Sequence, residues 1–220
     1  MSNDLKFKIS HKVTEDNSSN FTIKPLDRGY GITIGNSLRR ALLTAVPGAA
    51  ITNVKIEGAH HEFSTIDGVT EDVADIIMNL KGVRFHLFES KVEPIFLKVK
   101  GPNAFTAADI QAVSDDFTIL NPDHHITDIA KGTTLEVELR LGIGKGYKSS
   151  EENKLNNSPV GMIPIDSIFN PVTKVSFNVS PLPGAKEDTE MLSLNVTTDG
   201  SITPVCLLYT SPSPRDNTTS

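Results

Sequence analysis

Apolar residues recur at helical spacing at Leu38, Ala41, Leu42, Ala45 and Val46, and this predicts an amphipathic helix whose stripe packs against the rest of the chain. Pro47 and Gly48 predict its end. The opposite face carries Arg39 and Arg40, with Leu43 one turn on. A large aliphatic side chain among charges is the composition of a binding face, although a solvated face with one stray leucine fits the same pattern. A second helix is predicted through Val73, Ile76, Ile77 and Leu80. Thr70 is its expected cap, Glu71 and Asp72 favour the positive end of its dipole, and Lys81 and Gly82 close it.

Elsewhere the period changes to two. Phe21 and Ile23 lie in an extended segment that turns at Asp27-Arg28-Gly29 towards the first helix, and Val54 and Ile56 alternate with polar residues up to Gly58. Ile95, Leu97 and Val99, then Leu135, Val137, Leu139, Leu141 and Ile143, predict two half-buried strands. Val175, Phe177 and Val179, followed by Leu192, Leu194 and Val196, predict two more. The intervening GPNAFTAADI and NPDHHI are turn-rich, and the polar run after Gly144-Lys145-Gly146-Tyr147, residues 148–158, reads as a flexible loop. Mixed helices and strands are compatible with an α+β class.

Few of the polar groups assemble into chemistry. Gly29, Gly31 and Gly35 lack the GxGxxG spacing and no Gly-Lys-Ser/Thr follows, so they read as turn and close-packing glycines. His60, His61, Glu62 and Asp67 suggest a metal site, but adjacent histidines on an extended segment point to opposite sides and no HExxH or cysteine cluster supports them; the expectation is no metal. His124 and His125 are read the same way. Asp109, Asp115 and Asp116 have no partner for acid–base work and are expected in loops and caps.

The 220 residues suffice for one large or two small domains. With 21 basic against 27 acidic residues the formal charge is −6, which argues against binding the nucleic-acid backbone and for protein partners. No apolar run approaches the roughly 20 residues of a membrane span, and residues 1–10 lack the apolar core of a secretory signal. The expectation is a cytoplasmic chain, in keeping with the single cysteine, Cys206. The Asn-x-Ser/Thr triplets at Asn178 and Asn195 are treated as chance.

Several stretches, in matching order, resemble the amino-terminal assembly domain of the bacterial RNA polymerase alpha-subunit family: LDRGYGITIGNSLRRALLTAVPG, HEFSTIDGV, EDVADIIMNLKGVRF, GPNAFTAADI, NPDHHI and MIPIDSIFNPVTKVSFNV. The resemblance covers roughly residues 20–204. It implies a discontinuous dimerisation domain, residues 1–48 with 162–204, in which helices lie on an antiparallel sheet, interrupted by a mainly β insert at 49–161. It also implies a non-catalytic subunit that forms a homodimer and scaffolds the beta and beta-prime subunits. Nucleotidyltransferase activity would belong to the assembled complex, with magnesium and any zinc held by the partners and no cofactor in this chain.

By the same resemblance, Arg39, Arg40 and Leu43, with the loop residues His61, Glu62, Phe63 and Ser64, face the beta subunit. Lys81, Ile165, Lys145 and Tyr147 face beta-prime. Tyr30, Ile34, Leu38, Ala41 and Leu42 form the dimer seam. After the Gly200-Ser201-Ile202-Thr203-Pro204 turn the family continues into a long amphipathic helix, whereas this chain reads VCLLYTSPSPRDNTTS. Pro212 and Pro214 oppose that helix, and the tail resembles read-through of a foreign junction, so residues 205–220 are expected to be mostly disordered. A seam lacking that helix predicts a monomer or weak dimer, a fragment defective in assembly. Two rivals stay open: a metal-dependent hydrolase built on His60, His61 and Asp67, and a DNA-binding protein.

Overall fold

The structure, a computed structural model, describes residues 8–15, 17–59, 61–88, 93–154, 159–184 and 189–210. In chain order the elements begin with β1 (Lys8–Glu15), β2 (Ser18–Asp27), α1 (Tyr30–Thr44), β3 (Pro47–Ile56) and α2 (Val73–Lys81). Next come β4 (Phe85–Leu87), β5 (Ile95–Lys100), β6 (Asn103–Thr106), α3 (Ala107–Gln111), β7 (Phe117–Ile119), β8 (His125–Ile129) and β9 (Thr134–Lys145). The chain closes with β10 (Tyr147–Lys148), β11 (Met162–Pro164), β12 (Ser167–Ile168), β13 (Val172–Pro181), β14 (Thr189–Thr198) and α4 (Pro204–Thr210). It is an α+β fold in which every strand pairing among the described residues is antiparallel.

The chain divides into two units, Met1–Val46 with Asn170–Ser220, and Pro47–Phe169. In the first, a four-stranded sheet runs in the order β1-β2-β14-β13. Phe21, Leu194 and Val196 point from this sheet into a core completed by Leu42, Val46, Val172, Val175 and Leu207. The helix reaches the sheet through two glycines. A Cβ on Gly31 would stand 2.6 Å from Val179 Cγ1, and one on Gly35 would stand 2.5 Å from Phe177 Cδ2, so only a residue without a side chain admits this approach. The helix therefore begins at Tyr30, earlier than its aliphatic stripe suggests. Glu190 of β14 supports that start, its Oε2 accepting the Gly31 N–H at 3.3 Å, a carboxylate at the positive end of the dipole.

In the second unit, the six-stranded sheet has the order β5-β9-β3-β4-β7, with β11 added on β3. Inward residues of β5 and β9, among them Ile95, Leu97, Leu135, Val137 and Leu139, share a core with Ile76 and Leu80 of α2 and Phe105, Phe117 and Ile126. Asp72 caps α2 in place of Thr70, its Oδ1 accepting the Asp75 N–H at 2.8 Å. The Gly82 end is tied down by side chains: Asn121 Nδ2 donates to Gly82 O at 3.0 Å, and His124 Nε2 lies 2.8 Å from Asn79 O. A capping box between Thr106 and Asp109 starts the short α3.

Three expectations change. Residues 162–169, which the resemblance assigns to the dimerisation domain, belong to the second unit, because Met162 and Ile163 pair with Lys55 and Val54 of β3 and the Ile165 N–H donates to Thr52 O at 2.9 Å. Residues 149–154 are pinned: Asn53 Nδ2 donates to Asn153 O at 3.1 Å, and Asn153 Nδ2 to Ile165 O at 2.8 Å and Ser167 Oγ at 2.9 Å. Residues 204–210 are helical. Pro204 occupies the first helical position, which needs no N–H donor, and Leu207 is buried against Phe21 and Val196. The expectations for 155–158, 211–220, Pro212 and Pro214 lie outside the described residues.

Candidate subunit-docking faces

Successive residues of α1 are about 100° apart, and this separates its surface into three stripes. Gly31, Gly35 and Leu42 face the sheet and are buried. Along one flank lie Tyr30, Ile34, Leu38 and Ala41. Ile34 and Leu38 are half-buried against Ile23, Leu26 and Leu192, whereas Tyr30 and Ala41 are exposed. Along the other flank lie Arg39, Arg40 and Leu43. Leu43 is half-buried against the core that contains Leu42 and Val175. Arg39 Nε donates to Val175 O at 3.3 Å. The Arg40 guanidinium makes no hydrogen bond or ion pair among the described residues and projects from an exposed position.

Leu42, expected in the seam, is 0% exposed and packs in the core of its own unit.

In the second unit the loop before α2 presents an aromatic side chain. The Ser64 N–H donates to His61 O at 3.1 Å, closing a turn over Glu62 and Phe63. Ser64 Oγ lies 3.2 Å from His61 Nδ1, and the Val73 N–H donates to Ser64 O at 3.1 Å, fastening the turn to the start of α2. Phe63 is left 77% exposed at the apex. His60 lies outside the described residues; His61 and Asp67 belong to no group of three potential metal ligands among the described ones. Glu71, His125 and Asp128 do approach within 4.8 Å. There Glu71 Oε2 already accepts from Thr127 Oγ1 at 2.6 Å and the Asp128 N–H at 3.1 Å. Burial opposes ionisation of Glu71, but these bonds outweigh it and lower its pKa.

A third face gathers around the short β10–β12 ribbon, where Tyr147 stands opposite Ile168. Lys81, at the end of α2, has its Nζ 3.6 Å from Asp166 Oδ2. Lys145 is exposed at the end of β9, and Tyr147 is 64% exposed. Ile165 does not share this surface. At 3% exposure it is a core residue of the second unit, its backbone bonded on both sides and its side chain facing inward. Sequence reasoning missed Asp166, a lone carboxylate whose role depends on residues 16 and 85 positions away.

Residues 54–170 match the family model described as the RNA polymerase Rpb3/RpoA insert domain. The chain is 52% identical over 190 residues to the DNA-directed RNA polymerase subunit alpha of Salinibacter ruber, covering 86% of this chain and 58% of that relative. It is 49% identical over 185 residues to the subunit of the same name from Chloroherpeton thalassium, covering 84% and 56%. With that of Limosilactobacillus reuteri it shares 48% over 198 residues, covering 88% and 63%. The chain belongs to the bacterial RNA polymerase alpha-subunit family. It spans less than two thirds of the length of these relatives. Among the described residues, no helix is long and apolar enough to cross a membrane.

Proposed function

We propose that the chain acts as the cytoplasmic, non-catalytic assembly platform of an RNA polymerase, pairing with a second copy and holding the beta and beta-prime subunits. The observation that carries this reading is the division of α1: one face is locked on its own sheet, while Arg40 stands on a separate exposed flank with no partner among the described residues. A guanidinium with no partner among the described residues, beside the half-buried Leu43, is suited to a partner offering a carboxylate against an apolar contact.

Arg39, Arg40 and Leu43, with the His61–Ser64 turn and its exposed Phe63, are assigned to beta. Lys81, Lys145 and Tyr147 are assigned to beta-prime. Tyr30, Ile34, Leu38 and Ala41 are assigned to the seam with a second copy. Magnesium and polymerisation chemistry are assigned to the partner subunits, and the net charge of −6 supports contact with protein in preference to nucleic acid.

Co-expression of the chain with beta and beta-prime, followed by purification through a tag on the chain, tests the proposal. The expected result is recovery of both large subunits in fixed ratio to the chain. Recovery of the chain alone, folded, contradicts it.

A further inference from the structure

Ile165 and Asp166 are adjacent in sequence and opposite in environment. The buried Ile165 accepts Asn153 Nδ2 at its carbonyl, while Ser167 Oγ donates to Ile51 O at 2.7 Å. The residues on both sides of Asp166 are thus fastened to the interior, and its backbone has little room to move. From this fixed point the carboxylate meets two separate segments. Its Oδ1 accepts the Ser150 N–H at 2.8 Å, and its Oδ2 faces Lys81 Nζ at 3.6 Å.

We propose that Asp166 is a positioning residue for the face assigned to beta-prime, holding the Lys81 ammonium in a fixed position before a partner arrives. A lysine on a four-carbon stem samples many rotamers, and ordering it on binding weakens affinity. A carboxylate on a rigid backbone orders it beforehand. The proton affinities agree with this geometry. The Ser150 N–H first, with Lys81 and the phenol, holds Asp166 below the usual aspartate range, despite partial desolvation. Partial desolvation and the facing carboxylate push the Tyr147 phenol up.

The inference rests on the assignment of this face to beta-prime, and the test separates the two. Capture of beta-prime in the presence of beta is measured for the whole chain and for Lys81→Ala, Tyr147→Phe, Asp166→Asn, Asp166→Glu and the Lys81→Ala/Asp166→Asn double variant. Asp166→Asn is expected to weaken capture about two- to fivefold, the scale of one partly exposed charged contact, with an unchanged unfolding midpoint. The double variant should bind no worse than Lys81→Ala, since the two residues act as one unit, and Asp166→Glu should restore part of the loss. Titration of the tyrosines, with Tyr147→Phe identifying the relevant phenol, should show Tyr147 ionising at lower pH in Asp166→Asn. Weakened capture by Lys81→Ala with normal capture by Asp166→Asn overturns the positioning role alone. Normal capture by both Lys81→Ala and Tyr147→Phe overturns the assignment of the face, and the positioning role with it.

Discussion

Gly35 of α1 lies directly over the ring of Phe177 on β13, with room for no side chain between them: an added Cβ would stand 2.5 Å from Cδ2 and 2.7 Å from Cε2. This contact sets how closely the helix approaches its sheet. Gly35→Ala would favour the helix intrinsically by about 1 kcal/mol, but overpacking against the ring costs about 1–3 kcal/mol. The expected outcome in denaturant unfolding is net destabilisation of about 1 kcal/mol, partly relieved by Phe177→Leu in the same chain.

The start of α2 separates two capping residues. Asp72 accepts the Asp75 N–H through its side chain, so Asp72→Ala should lower stability by about 1 kcal/mol. Thr70→Ala removes no cap bond and should fall within about 0.5 kcal/mol of the parent chain. Equal losses in the two variants, measured by denaturant unfolding, would contradict the assignment.

The pH dependence follows from Glu71. Its folded pKa is depressed by the Thr127 hydroxyl and the Asp128 N–H, against the opposing effect of burial. A depressed carboxylate contributes stability that is fully present above its unfolded pKa and is lost as pH falls through the folded value. The stability difference between the parent chain and Glu71→Gln should therefore stay constant from neutral pH to about pH 5 and shrink on further acidification, given an unfolded glutamate near pH 4.3. Unfolding curves collected across that range check the sign.

Leu207 gives the segment after Thr203 a structural role. Its side chain is buried with Phe21 and Val196, and Leu207→Ala should cost about 2–5 kcal/mol, the range for emptying a packed leucine site. A loss below about 0.5 kcal/mol in thermal or denaturant unfolding would return this segment to the disordered state that its composition suggests.

What was legible in the sequence was the residue pattern that burial imposes on one face. Ile95, Leu97 and Val99, and Leu135, Val137 and Leu139, alternate because β5 and β9 each bury one side, and Val73, Ile76, Ile77 and Leu80 recur because α2 buries one stripe. β1 gave no such signal: as the edge of its sheet it is exposed at every residue, and its KISHKVTE sequence carries charges suited to an unpaired edge. The glycine face of α1 was equally silent, because Gly31 and Gly35 bury backbone and leave no aliphatic mark. Ala41 kept the helical spacing yet is exposed, while Leu42 turned fully inward. Ile165 and Asp166 show a similar limit: the resemblance named Ile165, but only the fold distinguishes the buried residue from the outward one.

The most direct measurement for the assembly reading compares Arg40→Ala with the parent chain in capture of the beta subunit. Arg40 is exposed and makes no hydrogen bond or ion pair among the described residues, so its removal should change stability by no more than about 0.5 kcal/mol. Loss of a charged anchor at an interface should nevertheless cost about 2 kcal/mol or more of binding, roughly thirtyfold in affinity. The predicted result is a chain with unchanged unfolding that retains little beta. Full capture of beta by Arg40→Ala would contradict the account.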